Sequence, residues 1–98
     1  MKIILTALAM LAAAPALAET PEDRCHDLAA YAHDVAILRD KGVRLAEVKE
    51  LNHERATAYR AGVYDKAAEM VYRSGLHPAG VKVGMLQGCM ETVHSARR

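Results

Sequence analysis

The chain has 98 residues, 52% of them hydrophobic, and a formal charge of +1 at neutral pH. That allows one small domain at most and excludes a disordered segment or a strongly basic nucleic-acid binder. Lys2 is the only charge among the first eighteen residues, so the remainder carries as many basic as acidic side chains and no electrostatic partner is implied.

Met1 and Lys2 make a short positive start, Ile3 to Ala14 is an apolar run, and Pro15-Ala16-Leu17-Ala18 ends in the small-x-small pattern read by signal peptidase. Residues 1–18 are therefore expected to be a signal peptide, with residues 19–98 as a single exported domain. The apolar run falls short of the roughly 20 residues a spanning helix needs. No cysteine directly follows Ala18, so no lipid anchor and no stable membrane attachment after cleavage is expected. Periplasm or secretion is the expected compartment.

Export gives meaning to Cys25 and Cys89, the only two cysteines, because thiols in an oxidising compartment tend to pair. Closing the long loop between them should stabilise the fold by roughly 4 kcal/mol in the chain-entropy model. Free or metal-binding thiols are the competing reading, but neither cysteine has the Cys-x-x-Cys neighbour that redox or zinc chemistry would use.

Thr20-Pro21-Glu22-Asp23 predicts a helix start, with threonine as N-cap, proline in the first turn and acids at the positive end of the dipole. The helix should run to Lys41 and stop at Gly42. At 100° per residue Cys25, Leu28, Tyr31, Ala32, Val35 and Leu38 share one stripe, with His26, Ala30, His33 and Ile37 opposite. A second helical stretch starts near Leu45, with Leu45, Val48, Leu51 and Asn52 along one side. Whether residues 45–73 form one kinked helix or two stays open, with Gly62 as the expected break. Val63, Ala67, Met70 and Val71 predict a third buried stripe, closed by Ser74-Gly75. His77-Pro78 opens the last helix, whose apolar side is Val81, Met85, Leu86, Cys89, Met90 and Val93, while Ser95 to Arg98 should fray. The pattern is all-α, a small bundle of three or four helices stapled by Cys25 and Cys89. With no Phe or Trp, the core must come from Leu, Val, Ala, Met and Tyr.

Glu50-Leu51-Asn52-His53 and Glu91-Thr92-Val93-His94 match the Glu-x-x-His pattern of di-iron bundles. The helical wheel places Glu50 and Glu91 far from the apolar stripes, so both are expected to face water. His26 and His33 lie two turns apart, too far to chelate one ion from one helix. Met70, Met85 and Met90 read as core filler in preference to copper ligands. No metal or cofactor is expected. The only serines are Ser74 and Ser95, without a nucleophile elbow, and no phosphate-cradling loop is present, so no enzyme is expected.

Gly80, Gly84 and Gly88 recur every four residues on the last helix, opposite its apolar side, and each costs about 0.8–1 kcal/mol against alanine. A strip this smooth permits close backbone approach. It forms, with Gln87 and Glu91, an interaction face for a partner or for a second copy, or it seats a neighbouring helix of the same domain, or its glycines are merely tolerated in a short or irregular helix.

The layout also resembles a loose group of small exported proteins of Gram-negative bacteria with two cysteines. The shared elements are Cys25 after the leader, an Ala-rich helix ending in Arg39-Asp40-Lys41-Gly42-Val43, the pair Val71-Tyr72, then Pro78 and a final Cys89. The resemblance implies helices and a bridge, and no activity.

The sequence therefore points to a non-catalytic module that binds a protein or itself, and not nucleic acid. One alternative is an acid-stress chaperone, since five histidines would turn a neutral chain cationic on acidification. Another is a periplasmic immunity protein that neutralises a toxin.

Overall fold

The structure, a computed structural model, describes residues 19–98; the leader expected at residues 1–18 lies outside them. The described residues form four helices and no strand: α1 (Pro21–Asp40), α2 (Leu45–Arg55), α3 (Ala58–Arg73) and α4 (Pro78–Ala96).

Local chemistry sets the helix ends. Thr20 Oγ1 accepts from the Asp23 amide at 3.1 Å and Asp23 Oδ2 accepts from the Thr20 amide at 3.0 Å, a reciprocal capping box in which aspartate takes the usual glutamate's place. At the other end of α1, Gly42 sits at φ +88°, its amide donates to the Arg39 carbonyl, and the Val43 amide donates to the Leu38 carbonyl. That pair of bonds is the Schellman stop, with Val43 and Leu38 making its apolar contact as both pack against the core.

The stretch from Leu45 to Arg73 is two helices, and the break is at Ala56-Thr57, not at Gly62. Ala56 is extended, and the Thr57 hydroxyl caps α3 by accepting from the Arg60 amide. A β-branched N-cap outweighs a single glycine, which α3 absorbs one turn further on. The last helix also departs from expectation: α4 is regular to Ala96, and Arg97 makes two hydrogen bonds to the Glu22 carboxylate, 2.8 and 3.1 Å, so the segment expected to fray is tied to the start of α1.

α1 is the keel. α4 lies along it in the opposite direction, because both ends are pinned: Cys25 bonds to Cys89 at one end, and the Arg39 guanidinium reaches the loop before α4 at the other. α3 packs against α1 on another side, and α2 packs on α3. The buried centre line of α1 is Cys25, Ala29, Ala32 and Ala36, at spacings of four, three and four, which lets neighbouring backbones come close. Alanines and valines fill the rest of the core, with Val35, Val48, Ala68, Val71 and Val81 in one cluster. Among the described residues no leucine or methionine is fully buried; Leu38, Leu45, Tyr31, Tyr72 and Met85 wall that cluster.

Two predicted stripes are shifted. On α3, Val63 is 40% and Met70 55% exposed, and the buried line is Ala61, Ala67, Ala68 and Val71. The small alanines win because α3 must fit against both α1 and α2, whereas Val63 and Met70 lie on the third side. On α2 the buried residues are Val48 and Asn52, and Leu51 reaches the surface.

Candidate functional site

The arginine that opens the Arg39-Asp40-Lys41-Gly42-Val43 turn is a joint. Its guanidinium, mostly shielded from solvent, donates to the carbonyls of Val71 (2.8 Å), Ser74 (3.1 Å) and Leu76 (2.7 Å). Those carbonyls lie at the end of α3 and in the connection to α4, beyond the reach of regular intrahelical donors, although the Val71 carbonyl also accepts from the Ser74 amide and hydroxyl. The Tyr72 hydroxyl donates to the Val43 carbonyl and closes the same corner from α3. Burial, with Glu47 nearby, raises the Tyr72 phenol above its ordinary range and keeps it a donor. The residues that carry the resemblance in this region thus have an architectural role: they weld the end of α1 to the start of α2, the end of α3 and the start of α4.

A second polar cluster holds α2. The Tyr31 hydroxyl donates to Asn52 Oδ1 at 2.8 Å, Asn52 Nδ2 donates to Asp65 Oδ1 at 3.0 Å, and His53 Nε2 lies 2.7 Å from Asp65 Oδ2. Lys49 Nζ donates to Glu69 at 2.8 Å one turn along. The Tyr31 ring stacks on Tyr64 with centroids 4.5 Å apart. Burial, with the Asp65 charge adding to it, pushes the Tyr31 phenol up to about 12, so it stays protonated and its hydrogen bond direction is fixed. Burial alone would raise Asp65; the bonds from Asn52 and His53 and the Lys49 charge more than offset it, and its carboxyl is held below the usual range. Glu69 is lowered by Lys49 in the same sense. A crevice of about 310 Å³ opens between α1 and α2 over Val35, Leu38 and Val48, with Asp34 and Arg55 at its sides.

Sequence reasoning placed Asn52 on the buried side of α2 and Tyr31 on that of α1, but did not connect them through Asp65. The available signal was an amide and a phenol at core positions of different helices, which must find partners when buried. Among the described residues no buried side-chain oxygen or nitrogen is left without one.

The Glu-x-x-His pairs do not converge. Glu50 and Glu91 are exposed, as the wheel places them; His94 is also exposed, and His53 is engaged with Asp65. Among the described residues no group of three His, Cys, Asp or Glu side chains could hold a metal ion. His33 Nδ1 lies 3.5 Å from Oδ1 of its neighbour Asp34, and His26 is exposed. Met70 projects outward from α3 while Met85 packs on the core and Met90 is half-buried, so the three methionines line no common site. Cys25 and Cys89 are joined, and no free cysteine exists among the described residues.

The glycine strip lies on the outer side of α4. Gly80, Gly84 and Gly88 are exposed together with Gln87 and Glu91. A Cβ built on Gly84 or Gly88 would meet nothing within 4 Å, and one on Gly80 only Leu76 Cβ at 3.7 Å. The strip therefore seats no other helix among the described residues, which removes that reading and leaves an interaction face or glycines that the helix merely tolerates. Val83 and Leu76 beside it are 55% and 54% exposed.

No protein-family model, no curated protein and no solved structure matches the chain.

Proposed function

We propose that this chain is a non-catalytic helical module, exported to the periplasm or beyond, that acts by binding a protein or a second copy of itself through the outer face of α4. The observation that supports this is the open space over Gly84 and Gly88. The two glycines together cost the helix about 2 kcal/mol against alanine and are used for no packing inside the domain. Exposed Val83 and Leu76 give the same face apolar contact area. A bonded cysteine pair fits export to an oxidising compartment. Among the described residues no helix is long and apolar enough to cross a membrane. The test is Gly84→Leu, with mass in solution and partner binding measured beside helix content. Association lost with helicity kept is the expected result, and association unchanged would remove this face from consideration.

A second reading, an acid-stress chaperone, draws support from the way α2 is held. α2 fully buries only Val48 and Asn52, with Leu45 against the core, and its ionic ties run to Asp65 and Glu69, whose carboxylates weaken their hold when protonated. Acid would then free α2 and uncover Val35 and Val48. Suppression of client aggregation near pH 2–3, absent near pH 7, is its assay. The immunity-protein alternative draws no support from any particular side chain.

A further inference from the structure

We propose that the outward side of α3 is a docking surface for an acidic amphipathic helix of a protein partner. Tyr59, Val63 and Met70 recur at intervals of four and seven residues, which places them on one line of α3. They are 82%, 40% and 55% exposed, three of the six large apolar side chains most open to solvent among the described residues. The line from Tyr59 to Met70 is about 16 Å long, three helical turns, which suits a short partner helix with apolar anchors at i, i+4 and i+7 or i+11.

Charge decides what kind of helix. Lys66 lies on the same line between Val63 and Met70, and Arg73 continues it; both are exposed. The only acids of α3, Asp65 and Glu69, are turned to α2, where Asn52, His53 and Lys49 occupy them. Arg60 pairs with Glu19 at 3.0 Å. The solvent side of α3 therefore presents an apolar line carrying Lys66 and Arg73, while the carboxylates of the helix lie to its α2 side, Asp65 mostly shielded and Glu69 partly exposed but paired with Lys49. At its first turn the line borders a cleft of about 450 Å³ lined by Leu28, Tyr59, Val63 and Tyr64, in which Glu19 and Asp27 are balanced by Arg24 and Arg60. A concave entrance accepts a projecting side chain, which a flat bilayer does not offer. A second copy placed on this side would set Lys66 and Arg73 against their own like charges, a costly arrangement at an interface. This surface is on a different helix from the glycine strip and does not depend on the reading of α4.

The probe is a display library of three-turn helical peptides, selected against the disulfide-bonded protein. Selected peptides are expected to share apolar residues at helical spacing flanked by Asp and Glu, and to move the amide resonances of residues 59–73 on binding. Lys66→Glu combined with Arg73→Glu should weaken binding about tenfold or more, roughly 1.4 kcal/mol. Tyr59→Ser should weaken it without changing charge. Both variants alter exposed side chains, so circular dichroism should show unchanged helicity, and Gly84→Leu on α4 should leave peptide binding as it is. The proposal is overturned if the selected peptides carry no acidic excess, if they bind the charge-reversed protein equally well, or if the shifts fall on α4. It is equally overturned if no peptide is selected while phosphatidylglycerol vesicles bind the protein and release the charge-reversed form, or if residues 59–73 bury themselves in a homodimer.

Discussion

Replacing Gly84 and Gly88 with alanine should make the isolated domain more stable, because the change restores helix propensity and meets no atom. The built Cβ at each position has open space for at least 4 Å, and both residues lie well inside α4, away from its first and last turns. At about 0.8–1 kcal/mol each, the double variant should gain roughly 2 kcal/mol. For a domain of this size that corresponds to a rise in Tm of about 8–16 °C, read by thermal unfolding monitored at 222 nm. Gly80, in the first turn after Pro78, should contribute less. The same substitution at Gly42 should act with opposite sign: its φ of +88° is one an alanine adopts only at a cost of about 1–2 kcal/mol. If Gly84→Ala lowers the midpoint, the strip is already packed against something, and the argument that it is free inside the domain fails. If the midpoint rises while association weakens, stability and binding are opposed at one face, as a docking role requires.

Cys25→Ala with Cys89→Ala should cost about 4 kcal/mol in denaturant titration, since the bridge closes a sequence separation of 64 residues. Hydrogen exchange should then loosen first where α1 begins and α4 ends, because Arg39 still holds their opposite ends. Arg39→Lys should cost about 2–3 kcal/mol at an unchanged m-value: a single ammonium cannot serve the three carbonyls of Val71, Ser74 and Leu76, and bonds to charged groups contribute about 1.5–3 kcal/mol each. For pH, the carboxyls of Glu22, Asp65 and Glu69 are all depressed in the folded state, so their contribution is complete above the ordinary carboxylate range near pH 4 and disappears as the pH falls through the depressed values. Thermal melts of the parent protein and Asp65→Asn should differ near pH 6 and converge near pH 2; a gap that persists at the acid end would show that Asp65 acts through shape and not charge.

Much of the architecture is legible in the residues because caps and stops are local. Thr20 with Pro21, Gly42, Ser74 and His77-Pro78 each mark a boundary using only their neighbours, and the two cysteines allow one pairing. The division at Thr57 was harder to see, since a threonine cap and a glycine little more than one turn beyond it compete on nearly equal terms. The orientation of α3 was hidden for a different reason. Hydrophobicity ranks Val63 and Met70 above Ala61 and Ala68, but a helix wedged between two others selects for small volume, and volume is set by partners the periodicity does not name. The joint at Asp65 was obscured in the same way, its two contacts coming from α2 across twelve or thirteen residues of chain. The glycines of α4 were visible as a strip, while their lack of an internal neighbour is a property of the folded chain alone.

These features have one physical origin. A core of alanine and valine buries little apolar area per residue, at roughly 25 cal/mol per Å², so neighbouring helices must lie close and be fixed at their ends by specific bonds. The disulfide and the Glu22–Arg97 pair fix one end of α1 against α4, and the Arg39 carbonyl bonds fix the other. Once the ends are pinned, the bulky apolar residues are no longer needed inside, and Tyr59, Val63, Met70, Leu76 and Val83 are free to remain on the surface. The bridge that substitutes for aromatic filling thus also releases the side chains from which α3 and α4 make their exposed faces, and loss of the bridge should degrade binding at both faces together with stability.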